Sequence, residues 1–248
     1  MEKKAMRGGR ECERVTGRGE GRGLDLKRSR GTRVFPMQTT TDTRTRETTD
    51  PTPGSSSATP VRVTLLIGSN RTGRFGPVIA EWLLDRVRRH DGFEVEVVDV
   101  AEADLLPTTF ATTPESTARL AGITPKLAEA EAFIVLTPEY NHSYPAGLKN
   151  LIDWHFHEWR AKPVALVSYG GMSGGLRAAE HLRQVFAELH AVTVRDTVSF
   201  HQAHAAFDET GHLKDPSAPD AAARVMLDQL AWWAQALREA KERRPYGG

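Results

Sequence analysis

The sequence has a single cysteine, Cys12, among its 248 residues. An intrachain disulfide, a Cys-ligated cluster and a thiol nucleophile in the body of the chain are therefore excluded. No apolar run reaches 18 residues, so no segment reads as a membrane-spanning helix, and the N-terminus has no apolar core of a secretory signal. Apolar residues are scarce overall, at 39%, and the deficit is concentrated in residues 1 to 60, which are crowded with Arg, Gly and Thr and end in Pro51 to Pro60, PTPGSSSATP. These residues are expected to be a disordered basic tail, with 13 Lys/Arg against 8 Asp/Glu. The body from residue 61 to 248 holds 20 against 24, so the net charge of +1 divides into +5 and −4. Apart from Phe35 the tail has no aromatic residue to interleave with its charges, and Met37 offers a later start. We read much of residues 1 to 36 as a non-functional extension, and expect a cytoplasmic protein without a nucleic-acid or membrane partner.

What is present begins at Val61. The apolar, β-branched run Val61 to Ile67 reads as a strand buried on both faces, followed by the polar loop Gly68 to Gly76 and by an amphipathic helix from Pro77 through Val87. Further strands are expected at Phe93 to Val100, Ala132 to Thr137, Pro163 to Tyr169 and Val192 to Phe200. Helices are expected at Thr124 to Glu131, Leu148 to Trp159, Leu176 to His190 and Ala221 to Glu242. Strand and helix alternate, which predicts one doubly wound α/β domain with a five-stranded parallel sheet.

In such sheets a ligand sits beyond the carboxyl ends of the strands. The loop after strand one suits an anion: a helix start supplies free N–H groups, Ser69 and Thr72 supply hydroxyls, and Arg71 supplies a guanidinium. It is not a nucleoside triphosphate loop, because Arg74 and Phe75 stand where Lys and Ser/Thr should be, nor does it contain the three-glycine dinucleotide turn. A monophosphate fits it best. The loop after strand three, Thr137 to Pro145, offers aromatic faces between prolines, and the loop after strand four, Ser168 to Gly175, offers four glycines that let backbone approach a flat ligand. Together the three loops describe a flavin mononucleotide site.

Those same segments carry a resemblance. GSNR, TPEYN with YPAGLKNLIDW, and SYGG with GGLRA are similar to the NADPH-dependent FMN reductase family of flavodoxin-like proteins. The resemblance implies FMN with its phosphate at Ser69 and Arg71, the site extending over Thr72, Arg74, Phe75 and Gly76. It implies the isoalloxazine against Pro138, Glu139, Tyr140 and Asn141, with Ser168, Tyr169, Gly170 and Gly171 bordering it. It departs from the family's pattern at Arg74, where a small hydroxyl residue is usual, and at Gly76, near which an Asn is frequent.

NADPH or NADH is the implied co-substrate, with a small-molecule acceptor such as a flavin or quinone, and a homodimer or homotetramer is expected. No side chain is required as a catalytic acid or base, since the cofactor carries the chemistry. Arg74, Arg177 and Lys149 are the candidate cations for the ribose phosphate of NADPH. The alternatives are a flavodoxin-type electron carrier, which should be more acidic than this body, and a non-redox phosphate-binding module. No metal site is expected: His155 and His157 are read as diverging from one helix, and His201 and His204 lack partners; His142 lies within the proposed flavin loop. Trp154 and Trp159 read as core or interface residues, and Ser168 lacks a nucleophile elbow.

Overall fold

The computed structural model describes residues 59 to 108 and 111 to 247. The tail and Cys12 lie outside them. The sheet contains β1 (Val61–Ile67), β2 (Phe93–Asp99), β3 (Ala132–Pro138), β4 (Pro163–Tyr169), β5 (Val192–Thr193) and β6 (Val198–Phe200). All pairings between them are parallel and the order is β2-β1-β3-β4-β5, with β6 also on β4. The chain winds outward from β1 in both directions, so the first and third loops meet at the switch point.

Alternation along each central strand assigns the two faces. Val63, Leu65 and Ile67 of β1, Ile134 and Leu136 of β3, and Ala165 and Val167 of β4 form one buried cluster. It is covered by α1 (Gly76–Arg89) and the long C-terminal helix (Ser217–Arg243), which bring Ile79, Leu83, Leu227 and Leu230. Leu66, Phe133, Val135, Val164 and Leu166 point to the other face, where Leu127, Leu148, Leu151, Leu182 and Phe186 cover them. The helices on that side are α2 (Val100–Ala103), α4 (Thr124–Glu129), α5 (Ala146–Asp153) and α6 (Leu176–Glu188), with α3 (Pro114–Leu120) between α2 and α4 in the chain. A short α7 (Ala203–Ala206) precedes the C-terminal helix, α8.

The doubly wound architecture is as expected, with three local corrections. The fifth strand is broken: between the pairs Val164↔Thr193 and Val167↔Val198 the outer chain holds two residues more than β4, so that after the Val194 N–H donates to the Val164 carbonyl at 2.9 Å, Arg195 to Thr197 leave the ladder. Val100 ends no strand; Asp99 accepts from the Ala101 N–H at 3.0 Å and so starts α2. The helix expected to reach Trp159 stops at Asp153, and a single 3-10 turn, His157–Trp159, follows.

That break changes the histidines. His155 is buried outside any helix, its Nδ1 2.9 Å from the Leu151 carbonyl and its Nε2 3.0 Å from Thr124 Oγ1. The carbonyl can only accept, so Nδ1 carries the proton and Nε2 accepts from the threonine. Burial lowers the imidazole's pKa from its ordinary 6.5, outweighing the opposite pull of Leu151 and Glu158. The unfolded chain therefore takes up a proton at a higher pH than the folded one. Stability should be fully present above the ordinary histidine range and be lost as pH falls from about 6.5 toward the folded value. His155→Gln should flatten that acid limb in urea midpoints measured from pH 7.5 to 5; an unchanged limb would remove His155 from it.

Candidate active site

The site is assembled from three loops at the carboxyl ends of β1, β3 and β4. Neighbouring ends are in register, since Ile67 pairs with Leu136, and Thr137 and Pro138 pair with Ser168 and Tyr169.

In the first loop, Gly68 donates to the Leu136 carbonyl at 2.8 Å, and a Cβ on it would come 2.9 Å from Leu148. Ser69 follows, wholly buried; its Oγ lies beside the Tyr169 hydroxyl, which it influences, but makes no well-directed hydrogen bond among the described residues. An unsatisfied buried hydroxyl costs about 1–3 kcal/mol. The helix beyond has no side-chain cap, and its first turn carries no acidic residue, so its leading N–H groups are also open. A Cβ on Gly76 would stand 2.4 Å from Ser69 Oγ and 3.0 Å from the Tyr169 hydroxyl. An orphaned hydroxyl, an uncapped fourteen-residue helix and a glycine-shaped space make a cradle for a phosphate ester. The residues therefore fit the phosphate end of FMN.

Arg71 and Thr72 are exposed at the loop's tip. The Arg71 guanidinium lies 3.5 Å over the centroid of the Tyr140 ring, joining the first loop to the third. Arg74 is elsewhere. It is a fork on Asp99 at the end of β2, with Nη2 2.6 Å from Oδ2 and Nη1 on Oδ1, and its Nη1 also donates to the Ser69 carbonyl at 2.7 Å. Phe75 turns away from the mouth as well, its ring 4.4 Å from that of His204 and 5.4 Å from that of Phe207. Of the six first-loop residues, the geometry offers Ser69, Arg71, Thr72 and Gly76 to a ligand and gives Arg74 and Phe75 to the protein.

In the third loop Tyr140 and Ser143 exchange backbone hydrogen bonds at 2.8 and 3.1 Å. Asn141 and His142 occupy the tip with φ of 49° and 73°, the two left-handed positions of a tight hairpin turn. Both are exposed, whereas Pro138 is buried as the last residue of β3. Glu139 also serves the protein. Its carboxylate accepts from the Arg177 backbone N–H at 3.2 Å and from Arg177 Nη1 at 2.8 Å, capping α6, whose N-cap Gly175 has no side chain to do so. Burial raises its pKa, but hydrogen bonds from Ser173 and Arg177 together outweigh that and hold it below the usual carboxylate value. The two loops thus keep a fixed spacing.

The fourth loop folds back on itself. Ser168 and Ser199 both donate to the Gly174 carbonyl at 2.9 Å, which commits Ser168 to the loop's shape and not to a ligand. Gly170 donates to the Phe200 carbonyl at 3.1 Å, while Gly171 is exposed with nothing within 4 Å of an added Cβ. Tyr169 is buried, and its hydroxyl faces the phosphate cradle. Burial pushes its pKa up to about 12, partly opposed by the Ser69 hydroxyl, so it is a neutral phenol at every physiological pH.

The three cations considered for a ribose phosphate are all paired: Arg74 with Asp99, Arg177 with Glu139, and Lys149 with Asp153 at 2.6 Å. Residues that sequence reasoning passed over are Asp99 and the clamp on residues 105 to 108. There Asn150 Nδ2 donates to the Leu105 and Leu106 carbonyls, and Trp154 Nε1 donates to Leu106 at 2.7 Å. An acidic residue ending β2 was visible in the sequence, but its partner was not.

Comparisons with known proteins bear on the family. The sequence profile of the NADPH-dependent FMN reductase family matches residues 61–205. The chain is 35% identical over 125 residues to the NAD(P)H-dependent FMN reductase of Schizosaccharomyces pombe, covering 46% of this chain and 60% of that one. It is 31% identical over 179 residues to the NADPH:quinone oxidoreductase of Arabidopsis thaliana, covering 69% of this chain and 91% of that one. In structure it is similar to a flavoenzyme NAD(P)H:(acceptor) oxidoreductase from Paracoccus denitrificans, with a TM-score of 0.57, 24% identity, and 71% and 98% of the two chains covered. A profile matching more than half of the chain, over the same three loops that build a phosphate cradle beside a glycine-lined edge, means that this chain belongs to the NADPH-dependent FMN reductase family.

Proposed function

We propose that this protein is an NAD(P)H-dependent FMN oxidoreductase that reduces a quinone, a flavin or a similar small acceptor. The observation that carries the reading is the buried Ser69 hydroxyl, with no well-directed hydrogen bond among the described residues, at an uncapped helix start beside a loop edge left open at Gly171. When bound, FMN supplies the redox chemistry, taking a hydride equivalent from nicotinamide and passing two electrons on. The chain's own residues bind and orient. Ser69, Thr72, Arg71 and the first N–H groups of α1 take the phosphate; Tyr140, Asn141, Gly170 and Gly171 border the ring. No side chain there is required to ionise, which agrees with Tyr169 staying protonated and Glu139 staying paired.

Anaerobic addition of NADPH or NADH to the flavin-loaded protein should bleach the flavin in one two-electron step, and a quinone or air should restore its colour. Bound flavin that stays oxidised in millimolar nucleotide would overturn the reading in favour of an electron carrier. The phosphate part is checked separately. Arg71→Ala should weaken FMN by about tenfold to a hundredfold, the equivalent of a lost charge-assisted hydrogen bond, while riboflavin binds wild type and variant equally. Equal FMN affinity by fluorescence quenching would remove Arg71 from the site. Assembly as a homodimer or homotetramer belongs to the same reading, supported by Met172, 86% exposed, and Leu176, 43% exposed, beside the ring edge.

A further inference from the structure

Arg74 is one of the two positions at which the first loop departs from the pattern of the family it resembles. An extra cation in a phosphate loop suggests a further ligand for the phosphate. Its surroundings say otherwise. Both guanidinium arms are spent on Asp99, and Nη1 is also shared with the Ser69 carbonyl. The two side chains are only 16% and 8% exposed. Asp99 in turn is fixed, because β2 pairs with β1 in the register Ile67↔Asp99 and because its Oδ1 also accepts from the Ala101 N–H. The ion pair therefore hangs from the sheet itself and reaches up under the loop.

Its third contact is the informative one. In a trans peptide the carbonyl and the following N–H point in opposite directions. Holding the Ser69 oxygen inward turns the Asn70 N–H away from the ion pair and fixes the Ser69–Asn70 peptide, on which the position of Arg71 depends. Among the described residues no other hydrogen bond reaches the Ser69 carbonyl, and the Ser69 hydroxyl, beside that of Tyr169, makes no well-directed bond that would orient the residue from the other side.

We propose that the Arg74–Asp99 pair is a positioning device that preorganises the Ser69 to Arg71 turn for the phosphate of the flavin, without Arg74 touching that phosphate. The proposal rests on the phosphate reading of the first loop. It explains how a bulky cation can stand where a small hydroxyl is usual: the direct contact is exchanged for rigidity of the neighbouring peptide.

A direct ligand and a positioning residue give opposite signs in one experiment. Asp99→Asn frees Arg74 while leaving its charge in place. If Arg74 were a phosphate ligand, releasing it would tighten FMN. If it positions Ser69, releasing it slackens the turn and FMN weakens, by about tenfold, the scale of a lost charge-assisted hydrogen bond. The full-length protein, stripped of flavin, would be titrated with FMN and with riboflavin by fluorescence quenching. Expected is weaker FMN and unchanged riboflavin for Asp99→Asn and for Arg74→Met, with the double variant no worse than either, because the pair acts as one unit. Arg74→Lys is the milder variant for the case that a half-buried unpaired charge prevents folding; it keeps the charge, cannot form the fork, and should show the same selective loss. Tighter or unchanged FMN in Asp99→Asn would overturn the proposal, as would equal losses for both flavins, which mark general damage. If wild type itself did not prefer FMN over riboflavin, the phosphate reading would fall first, and the proposal with it.

Discussion

Gly175→Ala should destabilise the domain by about 3 kcal/mol and take flavin binding with it. The residue has φ of 83°, a left-handed conformation that an L side chain adopts only at a cost, and it is the N-cap of α6. The space is closed as well. An added Cβ would come 2.7 Å from the Tyr169 nitrogen, 2.8 Å from its carbonyl oxygen and 2.8 Å from the Ser168 Cβ. Two of these are backbone atoms of β4, the central strand of the site, and cannot swing aside as a side-chain tip would. Either β4 or the glycine loop has to move, and Ser168, Tyr169 and the Glu139–Arg177 cap move with it. For a domain of this size the loss corresponds to a fall in Tm of about 6–12 °C. Gly171→Ala is the matched control, since nothing lies within 4 Å of its Cβ and its φ is not positive. Thermal melts of the two variants side by side check the argument. A Gly175→Ala protein melting with wild type would show that the loop tolerates a repacking which these distances do not suggest.

The second large effect is on turnover. Gly171→Trp should leave folding and FMN affinity near wild type and lower the rate of flavin reduction by about a hundredfold, the scale expected when a reactant is kept from its near-attack position. Gly171 is exposed at the border of the proposed ring site, beside Gly170, which is fixed to Phe200, and two residues from Tyr169, which is buried. A Cβ placed there meets no protein atom within 4 Å, and on the proposed reading bulk beyond it stands where nicotinamide or the acceptor approaches. The measurement is a single-turnover bleaching rate at saturating NADPH, paired with an FMN titration. Wild-type bleaching would show that the open edge is not the route of approach. Lost FMN affinity would show instead that Gly171 lies under the cofactor.

The contrast between two helix starts connects these predictions. Glu139 reaches across from the third loop to cap α6, so that helix is complete within the protein. The start of α1 has no side-chain cap, and the Ser69 hydroxyl below it makes no well-directed hydrogen bond among the described residues. Native proteins satisfy nearly all of their buried polar groups, and the exceptions concentrate where a ligand completes the set. The protein closes one anion site with its own carboxylate and leaves the other open.

The sequence by itself determined the principal strands and helices and the three loops that make the candidate site. The apolar runs Val61–Ile67 and Pro163–Tyr169 could only be buried strands, the amphipathic spacing after Pro77 could only be a helix, and the alternation of the two forced loops with anion chemistry and glycine onto one edge. These signals are local: period, turn residues and helix starts are set by neighbours within a few positions. What only the tertiary structure decided are partnerships between residues far apart in the chain. Arg74 and Asp99 are 25 residues apart and meet because β2 lies beside β1; Glu139 and Arg177 are 38 apart and meet because β3 lies beside β4. A guanidinium in a phosphate loop carries the same attraction for a carboxylate as for a phosphate, so its type predicted an anion without predicting which one. The strand order placed a carboxylate closer. For the same reason the break in the fifth strand and the burial of His155 were not legible: each depends on what packs across the sheet, and not on the residues that flank it.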